Sequence, residues 1–188
     1  MKIDIARQPL VPAFMTLFAL AVAAMCAGIP VSDTSGAVRD ALPLLGGQLA
    51  RFQAAYPVWS KFAAGFMLLF TGMCAGRITI RYNLYTVGTC LPIPLYAIVA
   101  CGIATGGNYL AGFAASMLLA LATKNYCRAF CNGYGFDAIF RASLYLGLMP
   151  LVYAPALPLL LLLPLAVLLF RRTFREVVVA TAGLLLPI

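Results

Sequence analysis

The sequence contains no histidine, and only 10% of its residues are charged. Without histidine the chain lacks the side chain that most often serves as a general base or a transition-metal ligand near neutral pH. Soluble domains carry about 25% charged residues, so this chain has too few to cover a water-facing surface. Because the remaining surface has to face lipid, we predict a membrane protein.

Long apolar runs indicate that the membrane-crossing elements are helices. We predict an all-α, polytopic transmembrane helix bundle that forms one domain over residues 1–188, with six spans and a partial seventh. We also expect Pro92 and Pro94 to kink the third span and Pro164 the sixth. The predicted spans cover residues 12–31, 61–76, 84–105, 109–123, 139–153 and 155–170, with the partial seventh at 177–188.

The run from residue 139 to 170 would be about 48 Å long as one straight helix, which exceeds the hydrocarbon core of about 30 Å. We therefore predict a hairpin that turns at Tyr153, Ala154 and Pro155. With a cytoplasmic N-terminus, the hairpin places ten lysines and arginines inside and three outside, whereas a single crossing gives seven and six. The positive-inside rule favours the hairpin and predicts a bacterial inner-membrane protein with a cytoplasmic N-terminus.

The first outer loop carries an amphipathic pattern. Its apolar residues recur at spacings of three and four, at Val38, Leu42, Leu45, Leu49, Phe52 and Tyr56. We predict one amphipathic interfacial segment here, divided into two short pieces by Pro43 and the pair Gly46 and Gly47. Packing of this segment against the ends of the other helices is the alternative.

Glycines are spaced for close helix packing at two places. Gly72 and Gly76, and Gly102 and Gly106, are separated by three residues each. Such pairs allow helices to approach within one chain or between subunits, and the pattern alone does not choose between these.

The second half of the chain resembles an uncharacterised family of multi-spanning inner-membrane proteins of Bacteroidota. The resemblance rests on a Gly-Leu-x-x-Leu-x-Tyr-x-Pro segment, an arginine-rich turn with Arg-Glu, and a Gly-x-x-x-Pro helix. It implies the same polytopic fold and assigns no activity, so it carries over no catalytic residue. The matching residues are Gly147, Leu148, Leu151, Tyr153, Pro155, Arg171, Arg175, Glu176, Gly183 and Pro187.

Twelve residues follow Glu176 and would form about 18 Å of helix, too short to span the membrane. We therefore expect the chain to be a fragment of a longer protein whose seventh span is cut short. Members of the family that it resembles continue with further helices, which agrees with this expectation.

Asp33 and Asp40 are the candidate catalytic residues, because they lie seven apart in the first outer loop. Carboxylates in this position suit an enzyme that transfers sugars from polyprenyl-phosphate carriers, where an acid serves as base or metal ligand. The competing interpretation is structural, with Asp33 capping a helix and Asp40 on its wet face.

The remaining charged residues favour anchoring and ion pairing. Asp137 and Arg141 are four apart with the acid first, which favours an exposed helical ion pair. Basic residues at span boundaries bind lipid phosphates and anchor helices, in preference to nucleic acid. These anchoring residues are Arg77, Arg81, Lys124, Arg128, Arg171, Arg172 and Arg175.

The sequence predicts no cofactor and no metal site. Cys127 and Cys131 share a helical face, but two sulfurs do not complete a zinc site. We expect a non-enzymatic membrane subunit or scaffold, whose partners are the lipid bilayer and other membrane subunits or further copies of itself. The alternatives are an envelope glycan or lipid-linked sugar transferase that uses the first outer loop, and a small-solute transporter component.

Overall fold

The computed structural model describes residues 10–26, 44–82, 90–103, 109–131, 135–162 and 174–187. These residues are almost entirely helical and form no β-strand, so the all-α prediction is confirmed for this part of the chain. The helices are α1 (Leu10–Cys26), α2 (Leu44–Ala55), α3 (Pro57–Arg81), α4 (Pro92–Ile103), α5 (Tyr109–Cys131), α6 (Phe136–Val152), a 3₁₀ helix (Ala154–Leu161) and α7 (Phe174–Leu185).

Within the described residues, α3 is the one helix that is both long enough and apolar enough to cross a membrane. A shorter apolar helix covers Leu10–Ala23 in α1. The six spans and the partial seventh therefore stay a prediction at this point.

Two helices continue beyond the predicted spans. The second predicted span ends at residue 76, but this bound is wrong because α3 remains helical to Arg81. The fourth predicted span ends at residue 123, but α5 continues to Cys131. Tertiary packing extends α5, since Ala129 is 1% exposed against Ala138 and the other residues of its core.

Proline positions give a second correction. The predicted kink at Pro92 and Pro94 is wrong, because α4 begins at Pro92 and both prolines lie in its first turn. A proline there loses no helical hydrogen bond, since the first N–H groups of a helix have no partner within it. The kink predicted at Pro164 lies outside the described residues.

The amphipathic segment forms a helix that packs on the bundle. The predicted division at Gly46 and Gly47 is wrong, because both glycines lie inside α2. This helix contacts α3, α5 and α6, and Gly46 and Gln53 are buried. The part of the segment before residue 44 lies outside the described residues.

The chain leaves α6 at the predicted turn. Tyr153 is extended (φ −143°, ψ 101°), and the next residues form the 3₁₀ helix. The sequence predicts α-helix from residue 155, but the structure has 3₁₀ geometry up to Leu161. Pro158 lies beyond the first turn and donates no backbone hydrogen bond, which weakens α-helix formation here.

Contacts at glycines give the direction of α1 relative to α3. A Cβ on Gly72 of α3 would meet Leu17 of α1, and one on Gly65 would meet Met25. As the residue number rises along α1 it falls along α3, so the two helices are antiparallel.

Hydroxyl contacts give the directions of α3, α4 and α5. The Tyr109 hydroxyl at the start of α5 lies 2.6 Å from Ser60 Oγ at the start of α3. The two helices pack against each other extensively from this pair of starts, so α3 and α5 run parallel. The Tyr96 hydroxyl of α4 lies 3.2 Å from Ser116 Oγ of α5. Each lies seven residues from the short connection between these helices, which makes them antiparallel.

Contacts also give the directions of the last three helices. Tyr126 of α5 lies 3.3 Å from Ser143 of α6 through their hydroxyl oxygens, and Gly135, just before α6, lies beside Ala129 near the end of α5. These two helices are therefore antiparallel. The helix α6 begins at Phe136, and α7 begins at Phe174.

Close contacts of two glycines with the backbone of the neighbouring helix give the direction of α7. A Cβ on Gly183 would lie 2.7 Å from the carbonyl oxygen of Phe140, and one on Gly147 would lie 2.5 Å from that of Leu184. Pro187 also lies beside Gly147. Residue numbers rise together along both helices, so α6 and α7 run in the same direction. The hairpin prediction requires this direction, while its membrane crossings stay predicted.

The buried apolar residues form two cores that meet at α5. We call the first the N-terminal core; its members include Leu17, Leu68, Ile93, Leu110 and Phe113. We call the second the C-terminal core; its members include Ala115, Ala129, Leu146, Met149 and Ala180. The fifth helix supplies residues to both, so it joins the two halves of the bundle.

Candidate functional site at the basic end of the bundle

The helix directions place the ends of α3 and α5 together with the starts of α6 and α7. This end of the bundle, which we call the basic end, holds six of the eight lysines and arginines among the described residues. The other two lie at the opposite end: Arg51 is in α2, and Lys61 is near the start of α3. The members of the basic end are Arg77, Arg81, Lys124, Arg128, Arg141 and Arg175.

Four of these cations lie near the ends of α3 and α5, which pack against each other. Arg77 and Arg81 are exposed near the end of α3, and Lys124 and Arg128 are exposed near the end of α5. Cys74 lies close enough to both Arg77 and Lys124 for their charges to act on its thiol. The sequence predicts all four as lipid-anchoring residues, and the structure places them at the same end of two packed helices.

The predicted ion pair on α6 is present in the structure. Arg141 Nε donates a hydrogen bond of 3.0 Å to Asp137 Oδ1. Both side chains are more than half exposed, so water and salt screen the attraction and its contribution to stability is small.

Arg175 and Glu176 begin α7 and have different surroundings. Arg175 is exposed, whereas Glu176 is only 4% exposed. The buried glutamate shares a face with Ala180 and Gly183, which packs against α6. Sequence reasoning missed this burial, although the spacing of four and three between these residues is the signal for one helical face.

A pair of hydroxyl groups lies inside the basic end and was also missed by sequence reasoning. Tyr126, beyond the predicted fourth span, and the fully buried Ser143 have their hydroxyl oxygens 3.3 Å apart. Tyr126 is partly buried, and the pair contributes packing and a hydrogen bond between α5 and α6.

Four of the candidate catalytic and anchoring residues lie outside the described part of the chain. They are the candidate catalytic residues Asp33 and Asp40 and the anchoring residues Arg171 and Arg172. Their predicted roles therefore stay predictions.

The end opposite the basic end is aromatic. Here α2 and the start of α3 border an open groove of about 580 Å³. Trp59, the single tryptophan of the chain, is 68% exposed beside it. The groove is lined by Phe52, Tyr56, Trp59, Phe62, Ala63 and Phe66.

The described residues contain no group of three or more histidine, cysteine, aspartate or glutamate side chains that could hold a metal ion. Cys74 and Cys90 carry free thiols. The side chain of Cys131 lies outside the described part, so the predicted common face of Cys127 and Cys131 stays a prediction.

Comparison of the chain with models of protein families, with curated proteins and with solved structures finds no match. The resemblance to inner-membrane proteins of Bacteroidota therefore stays a prediction from the sequence.

Proposed function

We propose that this protein is a polytopic inner-membrane protein that acts as a non-enzymatic membrane subunit or scaffold. In this proposal α1, α3, α4, α5, α6 and residues 155–170 cross the membrane, and α7 begins a further crossing. The bilayer surrounds the bundle, and other membrane subunits or further copies of this chain bind to it.

The observation that carries the membrane assignment is the outward face of α3. Exposed apolar side chains recur along it at Phe62, Phe66, Phe70 and Met73, with exposed fractions of 59%, 67%, 37% and 39%. Charged residues lie only toward the two ends of the helix. A helix of 25 residues is about 37 Å long, enough to cross a hydrocarbon core of about 30 Å. An outward apolar stripe of this length favours contact with lipid.

Other helices support the same environment. Large exposed apolar residues also lie on α1, including Val11 and Met15, and on α4, including Ile98 and Val99. Several helices are short for a crossing, since α1 and α6 have 17 residues each and measure about 26 Å. Local bilayer thinning accommodates such mismatch at modest cost.

The alternating helix directions support a cytoplasmic start. Six described cations lie at the basic end and two at the opposite end, so the positive-inside rule favours a cytoplasmic basic end. Because α1 is antiparallel to α3, its start lies at the same end as Arg81. This orientation agrees with the predicted cytoplasmic N-terminus.

The polar groups between the helices support a structural role. Ser60 Oγ donates to the Pro57 carbonyl oxygen at 2.8 Å, so the Tyr109 hydroxyl is the donor in its 2.6 Å bond with Ser60. In the same way Ser116 Oγ donates to a carbonyl oxygen and accepts from Tyr96. These hydroxyls join neighbouring helices and hold the bundle together.

Reporter fusions test the proposed membrane topology. Alkaline phosphatase, which is active only outside the cytoplasm, is fused after Tyr56, Tyr82 or Gly135 in three separate fusion genes. We expect activity after Tyr56 and none after Tyr82 or Gly135. Activity after all three, or release of the unfused protein from membranes by an alkaline wash, would overturn the assignment.

Affinity purification in mild detergent tests the scaffold role. We expect the tagged protein to retain a stoichiometric membrane partner or a second copy of itself. Recovery of the bare monomer from cells that express it at native level contradicts the scaffold proposal.

The sugar-transferase alternative has its own test in the double variant Asp33→Asn with Asp40→Asn. If the protein is a scaffold, this variant supports normal growth and envelope integrity at normal expression. Loss of function with intact expression would favour the enzyme.

A further inference from the structure

The exposed cations of α3 and α5 form a single row. The parallel register pairs Ser60 with Tyr109 and brings Cys74 near Lys124, an offset of about fifty residues. At this offset Arg77 and Arg81 lie at nearly the same height as residues 127 and 131, so the basic residues of the two helices alternate along the contact. The row extends from Lys124 to Arg81, about 10 Å along the helix axes.

The four side chains are all exposed near the ends of these two packed helices. Arg77 and Arg81 are four apart, as are Lys124 and Arg128, so each pair shares a helical face. In the register set by Ser60 and Tyr109, Lys124 lies at the height of Cys74, one turn before Arg77, so the two pairs lie at the same level on neighbouring helices. We call this row of four cations the α3–α5 seam.

No carboxylate among the described residues offsets the charge of the seam. The described part of the chain contains two acids. Asp137 pairs with Arg141, and Glu176 is buried on α7. Like charges four apart on a helix repel each other, so an anion that binds along the seam lowers the free energy of this arrangement.

The surface beside the seam is apolar. Phe66, Phe70 and Met73 are exposed on α3, and Arg77 continues their spacing of four, three and four. An anion with apolar chains can therefore place its head at Arg77 and lay its chains along this stripe. Two phosphate groups match a row of two cation pairs, and basic sites between membrane helices on the cytoplasmic side bind such head groups.

We propose that the α3–α5 seam binds an anionic phospholipid that carries two phosphate groups, in the cytoplasmic leaflet. The membrane orientation of this site rests on the proposed function. The binding itself rests on the cations and the apolar stripe, and it is measured on the purified protein.

The test is native mass spectrometry of the full chain in detergent, titrated with cardiolipin, phosphatidylglycerol or phosphatidylcholine. We expect cardiolipin to bind more tightly than phosphatidylglycerol and phosphatidylcholine to bind least. Each cation near the membrane surface contributes about a five-fold change in affinity, so Arg77→Ala with Lys124→Ala lowers cardiolipin affinity about 25-fold.

The matched control removes two cations from the other end of the bundle, by Arg51→Ala with Lys61→Ala. We expect this variant to bind cardiolipin within about two-fold of the original chain. Arg51 and Lys61 lie at the opposite end of the bundle, and the potential of an exposed charge falls off within a Debye length, so their charges contribute little at the seam. An equal loss in both variants, or no loss in the seam variant, overturns the proposal.

A charge-preserving variant separates binding from folding. Arg77→Lys with Lys124→Arg keeps both charges, so we expect it to retain the affinity to within about five-fold. If it loses affinity as fully as the alanine variant, the charges do not carry the binding and the proposal is wrong.

Inorganic diphosphate separates a lipid site from a site for a soluble anion. We expect millimolar diphosphate to displace cardiolipin poorly, because it lacks the chains that contact Phe70 and Met73. Displacement at the same concentration as a lipid competitor overturns the assignment to lipid. The reporter fusions on the same protein show separately whether the membrane orientation has failed.

Discussion

The glycines of α3, in the N-terminal half, pack against side chains of neighbouring helices. The glycines of α6 and α7, in the C-terminal half, pack against the backbone of the neighbouring helix. Gly72 lies against the end of Leu17, and Gly76 lies against the end of Ile93. Gly147 and Gly183 instead face carbonyl oxygens of the neighbouring helix. A side-chain end moves away by a change of rotamer, but a helix backbone moves only as a whole. The C-terminal half is therefore the less tolerant of the two at its glycines.

The cores themselves are expected to be equally sensitive to the loss of a large side chain. Leu68 and Leu146 are each 1% exposed, one in each core. Leu68→Ala and Leu146→Ala should each lower the free energy of unfolding by about 2–5 kcal/mol, because each leaves a cavity. Thermal unfolding in detergent, followed by circular dichroism, measures both.

The same experiment tests whether the halves unfold together. Because α5 contributes Phe113 to one core and Ala129 to the other, we expect one transition that moves down in both variants. Two transitions, of which Leu146→Ala moves only one, contradict this expectation.

The glycine contrast predicts a smaller difference. In Gly147→Ala the new Cβ lies 2.5 Å from the Leu184 carbonyl oxygen, so α7 shifts and about 1–3 kcal/mol is lost to overpacking. In Gly72→Ala the end of Leu17 rotates away, and the gain of about 1 kcal/mol in helix propensity offsets the strain. Equal destabilisation in the two variants, measured by thermal unfolding, contradicts the contrast.

Loss of a hydroxyl pair is expected to give a still smaller difference in the free energy of unfolding between the two halves. The Tyr109 bond to Ser60 is 2.6 Å long and buried, whereas the Tyr126 bond to Ser143 is 3.3 Å. Tyr109→Phe should cost about 1 kcal/mol of unfolding free energy and Tyr126→Phe less, because a long hydrogen bond is weak. Ser60 still donates to Pro57 in the first variant. A larger loss in Tyr126→Phe than in Tyr109→Phe would reverse the order.

The smallest effect is expected at the surface ion pair of the C-terminal half. Asp137→Asn removes the partner of Arg141, and an exposed helical pair contributes about 0.3–0.5 kcal/mol. We expect a small fall in unfolding temperature at low salt and none at high salt. In the N-terminal half, Arg77→Ala should leave the unfolding temperature in lipid-free detergent unchanged, because Arg77 forms no ion pair with the described acids. A salt-insensitive loss at Asp137 contradicts an exposed pair.

Local patterns predicted part of this structure correctly. The start of α5 at Tyr109 and the end of α6 beside Tyr153 follow from apolar runs bounded by glycine and proline. The pair of Asp137 and Arg141 follows from helical spacing alone. These features depend on residues within a few turns of one another, so the sequence suffices to predict them.

Features that depend on distant residues were predicted poorly. The extension of α5 to Cys131 reflects packing on α6, which overrides the polar composition after Lys124. The pattern at Gly46 and Gly47 indicates a break, but α2 continues through both because it packs against three other helices. In each case contacts made elsewhere in the bundle outweigh the local preference.

The sequence by itself determined that the described chain is helical and that its cations lie at helix ends, because periodicity and composition are local properties. Only the tertiary structure decided which helices are neighbours. The parallel packing of α6 and α7 depends on Gly147 and Gly183, each of which fits against the backbone of the neighbouring helix. The α3–α5 seam joins Arg77 to Lys124, residues almost fifty positions apart, because the register of two packed helices is set by the shapes of all the side chains between them.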